Sequence, residues 1–104
     1  MPDSLPPVQH DPQSEQFFIN LEGQQNAKLD YARKVEGERT VLDLKATFVP
    51  PGRRNQGLAT KIVLNAFREA EAQGYKIRPS CPFTEALLQR KPAFQHLRVD
   101  EKAS

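Results

Sequence analysis

The sequence predicts an α+β fold: a mainly antiparallel sheet, then a C-terminal β-α-β unit and a short final helix. Two periodicities and one loop carry this expectation. Apolar residues alternate with polar ones as far as Phe48, and from Leu58 onward they repeat at helical spacing. The two patterns meet at a proline- and glycine-containing loop.

The first strand is expected where Phe17, Ile19 and Leu21 alternate with Phe18, Asn20 and Glu22. Gly23, with Gln24 and Gln25, marks a turn. A second strand follows, with Ala27, Leu29 and Tyr31 on one face and Lys28, Asp30 and Ala32 on the other. Glu36-Gly37-Glu38 marks the next turn. In the third strand Leu42, Leu44, Ala46 and Phe48 alternate with Asp43, Lys45 and Thr47, which puts Ala46 and Phe48 on the buried face. Pro50-Pro51 stops this strand, because proline cannot donate to the ladder.

Beyond the loop, Leu58, Ala59, Ile62, Val63, Ala66, Phe67 and Ala70 form one apolar stripe, with Lys61, Asn65, Arg68 and Glu69 on the other face. Gly74 stands where a helix C-cap glycine belongs. Tyr75-Lys76-Ile77-Arg78 reads as a short strand ended by Pro79, parallel to the strand before the helix through a right-handed crossover. Residues 84–91 read as the short final helix, broken by Pro92, with Phe94 and Leu97 anchoring a last turn. Tyr31 and Tyr75 fit the strand alternation as packing residues.

Length and composition set the frame. The chain has 104 residues, which suits one small domain, expected over residues 16–98. Residues 1–15 contain no apolar stretch and read as a disordered tail, not a signal peptide; residues 99–104 read as a C-terminal tail. His10, in that tail, and His96, past Pro92, read as solvated surface residues. A formal charge of +2 is too weak to argue for nucleic acid, and neither an aromatic RNA-binding platform nor a helix-turn-helix pattern is present. No apolar run approaches the ~20 residues of a membrane span. One cysteine cannot close an internal disulfide, so the expected setting is intracellular and cytoplasmic.

The loop places Gly57 at the start of a helix. The first N–H groups of a helix have no internal partners and carry partial positive charge, so an anion can settle there. Arg53, Arg54 and Lys61 add charge at the same end, and Thr60 adds a hydroxyl. Taken alone, Gly57 reads equally well as an ordinary turn glycine. No Gly-Lys-Ser/Thr follows, and the three glycines of a dinucleotide fingerprint are absent.

The stretch Arg54-Asn55-Gln56-Gly57-Leu58-Ala59 resembles motif A of the GNAT acetyltransferase superfamily, Gln/Arg-x-x-Gly-x-Gly/Ala. More narrowly, the chain resembles that superfamily's small single-domain members. The shared features are Thr47-Phe48-Val49-Pro50-Pro51 before the loop, Pro79-Ser80-Cys81 after the next strand, and a closing Phe83 with Pro92-Ala93-Phe94. The resemblance implies acetyl-coenzyme A as cosubstrate, no metal, and an amine acceptor, either a small amine or a protein lysine. It also implies that the backbone from Gln56 to Thr60 holds the pyrophosphate, within a site of Phe48, Val49, Arg54, Asn55, Gln56, Gly57, Leu58, Ala59 and Thr60.

Acetyl transfer needs a neutral amine near the thioester, a donor for the developing oxyanion and a proton for the departing thiolate. Cys81, bracketed by Pro79 and Pro82, is the side-chain candidate. Three roles are open to it: nucleophile, acid beside the leaving sulfur, or a small buried thiol that only packs. Many of the small relatives carry a histidine just before the Thr-aromatic pair, where this chain has Ala46. Binding of coenzyme A without turnover is therefore the alternative reading. Arg90-Lys91 reads as favourable charge at a helix C-terminus or as a contact for the coenzyme A 3′-phosphate.

Overall fold

A computed structural model describes residues 6–21, 23, 25–54 and 56–99. Five strands form one sheet in the order β1 (Gln9–Asp11), β2 (Gln16–Ile19), β3 (Ala27–Glu36), β4 (Arg39–Phe48) and β5 (Lys76–Arg78). The first four pair antiparallel, and β5 lies parallel to β4. A 3-10 turn at Pro51–Arg53 and the helix α1 (Leu58–Gln73) connect β4 to β5. Helix α2 (Pro82–Gln89) and a 3-10 segment at Pro92–Leu97 complete the fold. This is the α+β architecture that the two periodicities predict.

α1 buries Leu58, Ile62, Val63, Ala66, Phe67 and Ala70 of the stripe expected of it, while Ala59 is only half-buried. Its core residues meet Phe17, Ile19, Leu29, Tyr31, Leu42 and Leu44 from one sheet face. Gly74 closes the helix at φ 79°, and the Tyr75 N–H reaches back to the Ala70 carbonyl at 2.8 Å, as in a Schellman close. Leu87, Leu88 and Leu97 join the same core. Phe67 and Phe94 face each other with ring centroids 5.4 Å apart. α2 begins two residues earlier than expected, because Pro82 serves as its first residue, where a missing N–H costs nothing.

Two expectations need correction. Residues 9–11, expected within a disordered tail, form β1. Asp11 accepts the N–H groups of Gln13 (3.1 Å) and Ser14 (3.3 Å) and turns the chain into β2. His10, expected to be solvated, stacks on Phe17 at 4.1 Å and meets the Tyr31 hydroxyl at 2.6 Å.

The second correction concerns β4. Its register against β3 shifts between Asp30 and Tyr31: Tyr31 pairs with Leu44, but Asp30 pairs with Ala46. Lys45 is the extra residue of a β-bulge, which inverts the alternation beyond it. Thr47, opposite Leu29, therefore faces α1, while Ala46 and Phe48, opposite Asp30 and Lys28, turn to the other face. Ala46 is exposed and not buried.

Candidate functional site

β4 and β5 pair over only three residues, Val41–Asp43 against Lys76–Arg78. One further bond follows, from the Cys81 N–H to the Leu44 carbonyl at 3.0 Å. The strands then part. Pro79 and Pro82 bracket the departing segment, which turns into α2, while β4 continues alone on that side. The Ser80 hydroxyl donates to the largely buried Asp43 at 2.5 Å and fixes the point of departure. Lys34 Nζ lies 3.4 Å from the other oxygen of this carboxylate.

A cleft of about 420 Å³ opens beside the end of β4. Thr47, Phe48 and Val49 form one wall, and Gly57, Leu58, Ala59 and Thr60 form the other. Arg53, Arg54 and Phe83 complete it. Gly57 is the N-cap of α1 at φ 80°, a left-handed conformation that side chains strain to adopt. No side chain caps this helix start, so its leading N–H groups are left for solvent or an anion. A Cβ placed on Gly57 would meet nothing within 4 Å, so the approach to the backbone is open.

Seven of the residues expected at the site converge on this cleft: Phe48, Val49, Arg54, Gly57, Leu58, Ala59 and Thr60. Leu58 is only 1% exposed and belongs chiefly to the core. Gln56 is not on the wall; its amide oxygen accepts Arg53 Nε at 3.0 Å. Asn55 lies outside the described residues. Arg54 Nε donates to the Val49 carbonyl at 3.0 Å and so occupies the first acceptor beyond β4. Lys61 donates to the Pro6 carbonyl at 3.1 Å. Thr47 and Phe83 line the cleft without having been expected there. Thr47 was hidden by the bulge; Phe83, two residues past Cys81 at the start of α2, carried a signal in its position.

Cys81 stands just behind the cleft, 6% exposed, with its sulfur 3.8 Å from the Thr47 hydroxyl. Burial pushes its thiol up. The backbone N–H groups of Thr84 and Phe83 and the Thr47 hydroxyl and backbone outweigh this, and the thiol falls below its ordinary value. Cys81 is the N-cap of α2, which supplies those amides. Among the described residues no cluster of histidine, cysteine or acidic side chains could hold a metal ion, and no helix is long and apolar enough to cross a membrane. His96 is more than half exposed and lies 3.4 Å from Glu71, away from the cleft. Arg90 caps α2 through its backbone, and neither it nor Lys91 reaches the cleft walls.

A parallel strand pair that parts beside an uncapped helix start defines an α+β domain with its cleft at the crossover. The chain belongs to the GCN5-related N-acetyltransferase family, whose model matches residues 16–97. In fold it is similar to the solution structure of a GCN5-like protein from Staphylococcus aureus. The TM-score is 0.65 at 21% identity, over 93% of this chain and 91% of that one.

Proposed function

We propose that the domain binds acetyl-coenzyme A in the cleft between β4 and α1 and transfers the acetyl group to an amine. The observation that carries this reading is the uncapped start of α1 at Gly57, facing the end of β4 across the cleft. The N–H groups from Gly57 to Thr60 suit the pyrophosphate, since several weak dipolar contacts add there. Arg53 and Arg54 supply positive charge at the same rim. The edge of β4 beyond Leu44, left without a strand partner among the described residues, suits the amides of the pantetheine arm. Arg54 would release the Val49 carbonyl as that arm pairs.

Transfer requires the neutral amine to attack the thioester carbonyl carbon. The carbon–nitrogen bond forms, the carbon–sulfur bond breaks, and the amine proton ends on the departing thiolate. Backbone N–H groups near Phe48 and Val49 would polarise the carbonyl, and proximity supplies much of the rate. Cys81 lies behind Thr47 and not on the cleft wall, which disfavours the nucleophile role; as an acid it would reach the leaving sulfur only through the Thr47 hydroxyl. Binding without turnover is the second reading. It is favoured by Ala46, which is exposed on the face opposite Thr47 and brings no base to the site.

Two measurements on the full chain test this. Calorimetric titration should give saturable binding of acetyl-coenzyme A and of coenzyme A. Thiol release in the presence of an amine panel should exceed the rate of hydrolysis. Binding with no amine-dependent release would favour the second reading, and failure to bind either ligand would end both.

A further inference from the structure

We propose that the acyl acceptor enters from the sheet face turned away from α1, into a cavity of about 390 Å³ beside Phe48. The acceptor is a small primary amine whose molecule carries an anion, carboxylate or phosphate, near the nitrogen. This rests on the reading of the β4–α1 cleft as the acetyl-coenzyme A site.

Phe48 is a wall of both spaces. The bulge at Lys45 produces this arrangement: it turns Thr47 toward α1 and Phe48 toward Lys28 on the outer face. The free edge of β4 beyond Leu44 is thus bordered by both spaces. An acetyl group held along it would be open to attack from the outer side. The attacking nitrogen forms the amide bond as the carbon–sulfur bond breaks, and its proton leaves with the thiolate.

The walls of the outer cavity set the substrate class. Gln16, Gln25, Asn26 and Lys28 line it with Phe48. Among the described residues they offer three amides, one ammonium and one ring, but no carboxylate. Asp30, the nearest acid along β3, is already engaged by the Gln16 amide at 3.1 Å and by Lys28 at 3.9 Å. An exposed pair at that distance is weak, so Lys28 can turn to a better-placed anion at little cost. The second ammonium of a diamine would meet the like charge of Lys28, with only neutral amide oxygens to offset it. A carboxylate or phosphate would meet a cation and amide donors. Phe48 packs on the methylenes between the two groups.

The test compares acceptors at fixed acetyl-coenzyme A, reading thiol release by the full chain. β-Alanine and O-phosphoethanolamine carry the anion; β-alaninamide and putrescine lack it. The expected kcat/KM is about tenfold or more higher for the first two, the size of one charge-assisted contact. Lys28→Gln should level the two classes and Lys28→Glu should invert them, with acetyl-coenzyme A affinity unchanged by calorimetry. Equal or better use of putrescine by the native chain, or an unchanged order in Lys28→Glu, overturns the inference. Acetyl-coenzyme A binding with no release from any of these amines overturns it too, while leaving the binding reading intact. Absence of acetyl-coenzyme A binding removes both.

Discussion

The Cys81 sulfur lies 3.8 Å from the Thr47 hydroxyl, across the line where β4 and β5 part. The contact exists because the bulge at Lys45 turns Thr47 toward α1. Thr47→Val removes one of the groups that lower the Cys81 thiol while keeping the side-chain shape. The thiol pKa should rise toward its ordinary value, leaving less thiolate at neutral pH. Cys81 is the sole cysteine, so thiolate absorbance titrated against pH reads it without ambiguity. An unchanged titration would mean that the α2 amides and the Thr47 backbone set this thiol without the hydroxyl.

Gly57→Ala should cost stability even though the new Cβ meets no neighbour. The cost lies in the backbone, since a left-handed φ of 80° strains any residue with a Cβ, by roughly 1–2 kcal/mol. Chemical denaturation should read this loss. Relief of the strain would also shift the first N–H groups of α1, so affinity for acetyl-coenzyme A should fall in the same variant.

His10→Ala tests whether β1 belongs to the domain. It removes a hydrogen bond to Tyr31 and a stacked contact with Phe17. Together these are worth about 1–3 kcal/mol. Amide exchange of residues 9–11 should accelerate, with the α1 core unaffected. Tyr31→Phe removes only the hydrogen bond and should have the smaller effect.

Two ion pairs make stability depend on pH. Arg78 grips Glu36 through two bonds at 2.8 and 2.9 Å, and Arg98 grips Glu85 at 2.8 and 3.1 Å. In each case the arginine hydrogen bonds hold the carboxyl below its ordinary value of 4.5. Such a group stabilises the fold fully above the unfolded-state value, and the contribution fades as pH falls through the lower folded-state value. The double variant Glu36→Gln, Glu85→Gln should therefore be less stable than the native chain at neutral pH. That gap should narrow progressively below pH 4.5. Denaturation midpoints across the acid range check the slope. Both pairs are partly exposed, so the effect should be modest and should weaken in salt.

Much of this arrangement was legible in the sequence because it rests on local patterns. The α1 stripe, Gly57, Gly74 and the Pro50–Pro51 stop each act within a few residues of chain. The bulge was not legible: Leu42, Leu44, Ala46 and Phe48 continue a period of two without interruption, and nothing at Lys45 signals an extra residue. Only pairing with Asp30 and Tyr31 on β3 shows it. The same long-range dependence hid His10, whose partners Phe17 and Tyr31 lie on two other strands. Asp11-Pro12 did carry a turn signal, and it is the turn at Asp11 that brings β1 onto the sheet. On the cleft walls Gly57 to Thr60 are contiguous in sequence, whereas Phe83 reaches the cleft from a separate element.

The central claim is that acetyl-coenzyme A lies between the end of β4 and the start of α1. Backbone amide shifts of the isotopically labelled chain, followed through a titration with acetyl-coenzyme A, test it most directly. The account predicts the largest changes at Gly57–Thr60 and Thr47–Val49, with little change along β1 or at the far end of α1. Saturable binding whose shifts cluster away from both segments, or no shifts at all, would contradict it.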